Sequence, residues 1–231
     1  MLKPHVRKCW VIPPEHSGEF VAHMEQVLEL YHLPYNPQMP LVCMDEQPVQ
    51  LIKETRQPIP AAPGKPEKRD YEYERNGTAN IFMFTEPLNG TRHVSVTAHR
   101  TAVDWANEIR DLLEVRSPAA ERVRLVCDNL NTHRIGSFYE AFPPEKAREL
   151  IKRLEIYHTP KHGSWLNIAE IELSAFTGQC LDRRIPDIET LRNETRAWEK
   201  RRNARHKGVD WQFTTQSARI KLKRLYPQIQ E

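Results

Sequence analysis

The sequence lacks any apolar run near the roughly 20 residues that a membrane-spanning helix needs. No apolar signal region follows Met1-Leu2-Lys3-Pro4-His5, so neither secretion nor membrane insertion is expected. The four cysteines, Cys9, Cys43, Cys127 and Cys180, are scattered, form no CxxC pair and offer no zinc spacing. Apolar neighbours suggest plain core packing for Cys43 and Cys127, and a reduced intracellular setting is expected. There is no Ser-His-Asp set and no reactive-cysteine arrangement, so a protein nucleophile is not indicated. Internal repeats and low-complexity tails are also missing.

What is present fits one large α/β domain or two small ones: 231 residues, 39% hydrophobic and 28% charged. The net charge is only +3, but it is unevenly spread. Between Arg196 and Arg224, ten Lys or Arg stand against Glu199 and Asp210 alone, which leaves the rest of the chain net acidic. A basic face for an anionic partner beside an acidic site would have this pattern; so would a solvated helix surface.

From Gly18 to Leu33, Phe20, Met24, Val27, Leu28 and Tyr31 recur at helical spacing, until Pro34, Pro37 and Pro40 break the pattern. Leu41 to Met44 is a short apolar run closing on Asp45. Ile59 to Lys68, rich in proline, reads as an irregular surface loop, and Asn76-Gly77 as a turn. Strands over Thr78–Thr85 and His93–Ala98 are joined at Leu88-Asn89-Gly90. Thr101 is placed to cap a helix running to about Val115. The β-branched run Arg122–Cys127 closes on Asp128. Pro143-Pro144 opens another helix, and Leu154–His158 reads as a fifth strand. Helices follow from about Trp165 to Cys180, from about Ile188 to His206, and from Thr215. The order predicts a mixed sheet flanked by helices, with the first three strands antiparallel.

Two apolar runs each end on an aspartate. Singly, each is also an ordinary turn former. On the first and fourth strands of a mixed sheet, however, Asp45 and Asp128 would lie side by side. The helix from Trp165 adds Glu170 and Glu172. With Ala169, Leu173 and Phe176 on its buried seam, each glutamate lies about 80° from the seam's centre, on opposite sides, so periodicity does not choose between them. Sheltered carboxylates need a cation, and oxygen-only ligands favour Mg²⁺ or Mn²⁺. Two such ions roughly 3.5–4 Å apart can activate a water or hydroxyl and stabilise the leaving oxygen of a phosphodiester. His133, His158 and His162 lack paired spacing and read as a polar wall or phosphate contacts. Lys161 and His162 precede the acid-bearing helix, whose N-terminus favours phosphate. Trp165 at that entry reads as a hydrophobic staple or a base-stacking surface.

Val-Cys-Asp-Asn-Leu-Asn-Thr-His at 126–133 and Tyr-His-Thr-Pro-Lys-His-Gly-Ser-Trp-Leu-Asn-Ile-Ala-Glu at 157–170 closely resemble the catalytic core of bacterial mariner-like insertion-sequence transposases, of the DDE endonuclease superfamily. Met44-Asp45-Glu46 matches the family's first acidic strand, Asp128-Asn129 with His133 the second motif, and Trp165-Leu166-Asn167 followed by Glu170 the third. The resemblance covers roughly residues 38–206. It implies an RNase H-like fold, an Asp45, Asp128 and Glu170 triad holding two Mg²⁺ (Mn²⁺ substituting), and supporting roles for Asn129, His133 and Asn167, with Asn167 orienting Glu170. The family's Asn-x-x-Glu spacing selects Glu170 over Glu172. Water would cut DNA at an element's ends, and the freed 3′-hydroxyl would attack target DNA.

The same resemblance implies double-stranded DNA as partner, both element ends and target, a homodimer, and a cytoplasmic, nucleoid-associated bacterial protein. Lys161, His162, Arg183, Arg184, Arg201, Arg202, Arg205 and Lys207 are the candidate DNA contacts. The chain divides into an N-terminal helix and connector (1–40), a catalytic domain (41–206) and a basic tail (207–231), without a complete helix-turn-helix pair ahead of Asp45. Gln47-Pro48 stands where many relatives carry small hydroxyl residues, and Pro48 is expected to alter the strand's end. Two rival functions are a non-catalytic DNA-binding remnant and a simple Mg²⁺-dependent nuclease without strand transfer.

Overall fold

The computed structural model describes residues 16–228; Cys9 and the N-terminal segment read for a signal lie outside the described residues. Five strands form one sheet: β1 (Leu41–Glu54), β2 (Tyr73–Glu86), β3 (Thr91–Thr97), β4 (Val123–Cys127) and β5 (Leu154–His158), in the order β3-β2-β1-β4-β5. β1, β2 and β3 pair antiparallel, whereas β1, β4 and β5 pair parallel. This is the mixed sheet that the strand and helix order predicts.

Alternation along the strands divides the core into two layers. Leu41, Cys43, Ile81, Met83 and Val126 pack against α1 (Gly18–Tyr31), α5 (Ile168–Phe176), α6 (Ile188–Asn203) and α7 (Thr215–Lys221). Val42, Met44, Phe82, Phe84, Leu125 and Cys127 pack against α2 (Ala102–Asp111), α3 (Gly136–Ala141) and α4 (Pro144–Lys152). Burying each large apolar side chain contributes about 1.5–3 kcal/mol. The terminal helices share the first layer: Ala218 and Leu225 are buried with Phe20 and Met24, and Arg219 pairs with Glu25 at 2.8 Å. The expected caps form. Thr101 and Asp104 make a reciprocal capping box on α2, and Pro144 opens α4.

Several local expectations need correction. β1 does not end near Asp45; it continues nine residues further, to Glu54, with Pro48 opposite Asn80. β4 pairs with β1 only as far as Cys43, so the later part of β1 has an open side where a missing N–H costs little. Asn76-Gly77 is not a turn but lies within β2, where two residues stand opposite Leu51 alone. This is a bulge, and Gly77 takes the positive φ of 85° that it requires. The proline-rich segment is also more ordered than a loose loop. Ile59 and Lys68 exchange backbone hydrogen bonds, as do Ala62 and Lys65, so it extends the β1–β2 hairpin. The short helix α3 was not expected, because Gly-Ser at its start and its six residues leave too little periodicity to detect. The helix expected from Trp165 starts at Ile168, after a single tight turn at Ser164–Leu166.

Candidate active site

Parallel pairing matches Leu41 with Arg124, Val42 with Leu125 and Cys43 with Val126. Two residues further along each chain, Asp45 and Asp128 come side by side. Glu170 arrives from the first turn of α5. The side chain of Asn167 sets that helix: its Nδ2 donates to the Met44 carbonyl at 2.9 Å, and its Oδ1 accepts from Ala169 N at 3.1 Å. Asn167 therefore caps α5 and ties it to the residue before Asp45. It orients the first turn of α5, from which Glu170 projects.

The carboxyl group of Asp45 is pushed up to about 7, chiefly by burial. The Glu46 backbone N–H, donating to Asp45 Oδ1 at 2.8 Å, opposes this rise, while the charges of Asp128, Glu170 and Glu46 add to it. The acids are thus near enough to repel one another. Glu172 is built differently. It is buried, and its carboxylate accepts from Arg92 Nη2 at 2.8 Å and from Arg202 Nε and Nη2 at 3.1 Å each. Burial would raise its pKa, but the two guanidiniums outweigh that and hold it below the usual range. Glu172 is a structural ion-pair partner; Glu170 is exposed and lies by the aspartates.

His133 is fully buried, which fits the polar wall of the two readings offered for it and not the phosphate contact. Its Nδ1 lies 2.6 Å from Asp128 Oδ1 and its Nε2 3.6 Å from Glu46 Oε2. Burial favours the neutral ring, but the carboxylates of Asp128 and Glu46 and the Cys127 thiol raise its pKa to about 11. Trp105 stacks on the ring with centroids 5.5 Å apart. His158 Nδ1 meets the Asp128 carbonyl at 3.1 Å, and burial lowers its pKa. The sequence reading missed Glu46, Arg92 and Arg100. The available signal for Glu46 was strand alternation, which turns it to the face opposite Asp45.

The donor chemistry suits a hard divalent ion: Asp45, Asp128 and Glu170 offer only carboxylate oxygens, and the charges of Asp128 and Glu170 raise the pKa of Asp45. As they stand, no three His, Cys, Asp or Glu side chains among the described residues converge closely enough to hold an ion. Asp128 Oδ1 is turned toward His133 Nδ1, 2.6 Å away.

The family model described as DDE superfamily endonuclease matches residues 40–192. This chain belongs to the DDE endonuclease superfamily. Among solved structures, the DDE core is similar to the Mos1 strand transfer complex (TM-score 0.54, 16% identity, covering 84% of this chain and 58% of that one). It is also similar to a pre-cleavage Mos1 transpososome (TM-score 0.54, 15% identity, 84% and 59%) and to the Mos1 mariner paired end complex with Mn (TM-score 0.52, 16% identity, 84% and 59%). At such identities the likeness is one of fold, here the RNase H-like mixed sheet with its helices. The chain spans under two thirds of the length of these solved chains. No curated protein matches it.

The candidate DNA contacts of this DDE core are dispersed. Lys161 and His162 border a cavity of about 280 Å³ with Asn129, His158 and the start of α1, next to Asp128. Arg205 and Lys207 are exposed just beyond α6. Arg183 pairs with Glu194 at 2.5 Å and shares a shallow depression with Arg201. Two of the set are committed elsewhere. Arg202 holds Glu172, and Arg184 binds Glu54 at 2.6 Å and the Glu72 carbonyl at 3.1 Å, which braces the β1–β2 hairpin. Trp165 packs edge-on against Phe213, with centroids 5.9 Å apart, and remains 38% exposed.

Proposed function

We propose that this chain is the catalytic core of a DNA transposase, in which Asp45, Asp128 and Glu170 hold Mg²⁺ or Mn²⁺ for DNA cleavage and strand transfer. The observation that carries this reading is the parallel register of β1 and β4, which brings two aspartates to one sheet end beside the first turn of α5. Membership of the DDE endonucleases supports it, as do the similar folds solved as Mos1 paired-end, pre-cleavage and strand-transfer complexes, one of them with Mn. When bound, the divalent ions supply Lewis acidity at the scissile phosphate.

The residues of the chain have separable tasks. Asp45 and Asp128, just past the end of the β1–β4 pairing, supply rigid carboxylates. Glu170 supplies the third from a helix whose start is pinned by Asn167. Lys161 and His162, beside Asp128, hold phosphate oxygens of the bound strand, and Arg205 and Lys207 extend the contact. Hydrolysis breaks a P–O bond and leaves a 3′-hydroxyl. That hydroxyl then displaces a phosphodiester oxygen in the target, conserving the number of phosphodiester bonds. Two copies of the chain would pair two DNA ends.

The test is nicking of supercoiled plasmid and of supplied element ends with Mg²⁺ or Mn²⁺, compared with Asp128→Asn. The expected result is metal-dependent nicking and joining that the variant loses. Binding without nicking, under either ion, would replace this reading with the DNA-binding remnant. Nicking that never proceeds to joined products would favour the simple nuclease.

A further inference from the structure

Two buried polar atoms without a hydrogen-bond partner face each other beside the acid cluster: Glu46 Oε2 and His133 Nε2, 3.6 Å apart. Leaving such atoms buried is costly, so their mutual approach calls for a reason. The other Glu46 oxygen, Oε1, lies 3.3 Å from Arg100 Nη1. The other His133 nitrogen, Nδ1, lies 2.6 Å from Asp128 Oδ1. Together these groups form a chain from Arg100, past the end of β3, through Glu46 within β1 to Asp128 just beyond β4.

Strand alternation makes the chain possible. Asp45 points toward the α5 layer and Glu46 toward the α2 layer, where the Trp105 ring keeps His133 in its plane. One oxygen of Asp128 is thereby occupied by the imidazole, and the other is left for the acid cluster. We propose that Glu46, acting through His133 and backed by Arg100, is a positioning residue that fixes which oxygen of Asp128 is offered to a divalent ion. The inference rests on the reading of Asp45, Asp128 and Glu170 as the metal-holding acids.

The experiment is a Mn²⁺ titration of the whole chain, with free Mn²⁺ followed by electron paramagnetic resonance, on wild type, Glu46→Asp and Arg100→Gln. Circular dichroism checks the fold of each. Glu46→Asp keeps the charge but shortens the reach, and should weaken Mn²⁺ binding about tenfold, the usual effect of residues standing behind metal ligands. Nicking at saturating Mn²⁺ should recover, because the ligands themselves are intact. Arg100→Gln lies at a half-exposed position and carries little folding risk. Charge alone would make that variant bind Mn²⁺ more tightly, whereas loss of positioning weakens it. Wild-type affinity in Glu46→Asp, or tighter binding in Arg100→Gln, overturns the proposal. A wild-type chain that binds no Mn²⁺ overturns the acid-cluster reading instead, and this proposal with it.

Discussion

Glu170 and Glu172 stand two residues apart on one short helix, in opposite electrostatic settings. Glu172 is buried between Arg92 and Arg202, and its negative charge is answered inside the fold. Glu170 is exposed and joins Asp45 and Asp128, where burial, and after it the neighbouring acids, raise the pKa of Asp45. The first arrangement stabilises the chain by completing an ion pair. The second is held together by strand register and a helix cap, against its own repulsion. An acid group that the fold neutralises is architecture; on the proposed reading, one that the fold crowds among other acids is a place for a cation.

The comparison can be broken by exchange of effects. Glu170→Gln should abolish metal-dependent nicking while the free energy of urea unfolding stays within about 0.5 kcal/mol of wild type, as at other exposed sites. Glu172→Ala should do the reverse, costing about 3–5 kcal/mol because Arg92 is left buried without its counter-charge. If Glu172→Ala unfolds like wild type, the buried triad is not what holds α5 and α6 to β3. Next in size, Asp45→Asn should stabilise the metal-free chain by about 1–3 kcal/mol, since it removes a carboxylate whose burial raises its pKa to about 7.

The pH dependence follows with opposite signs for the two acids. Asp45 is raised when folded, so in metal-free protein its contribution falls as pH rises from its ordinary value of 3.8 toward about 7. Glu172 is lowered when folded, so its contribution is present above the ordinary glutamate range and is lost as pH falls through its folded value. Melting temperature should therefore decline from pH 4 to 7 in the wild type, and that decline should flatten in Asp45→Asn. The smallest effect expected is in the hairpin: Gly77→Ala, at φ 85° with open space around it, should cost about 1 kcal/mol by thermal unfolding and leave nicking unchanged.

Much of this was legible in the chain because two short periodicities carried it. The five strands and their mixed order follow from β-branched runs, turn residues and the helices between them. Asp45 and Asp128 were legible as neighbours because each closes an apolar run. Asn167 and Glu170 were legible as a spacing, although Asn167 works as a cap and a strap to β1. The extent of β1 was not legible, since Pro48 argues for an end unless the pairing on each side is known. The burial of His133 was not legible, because it depends on Trp105, which stacks on its ring from α2.

The sequence by itself determined the α/β class, the places of the five strands and the two aspartates that close apolar runs, because these depend on local alternation and on where apolar runs stop. The family resemblance selected Glu170, but only the tertiary structure decided that Glu172 is the glutamate paired with arginine. Helical periodicity sets Glu170 and Glu172 at equal angles from the buried seam, and the distinction comes from Arg92 on β3 and Arg202 on α6, which meet Glu172 from outside its own helix.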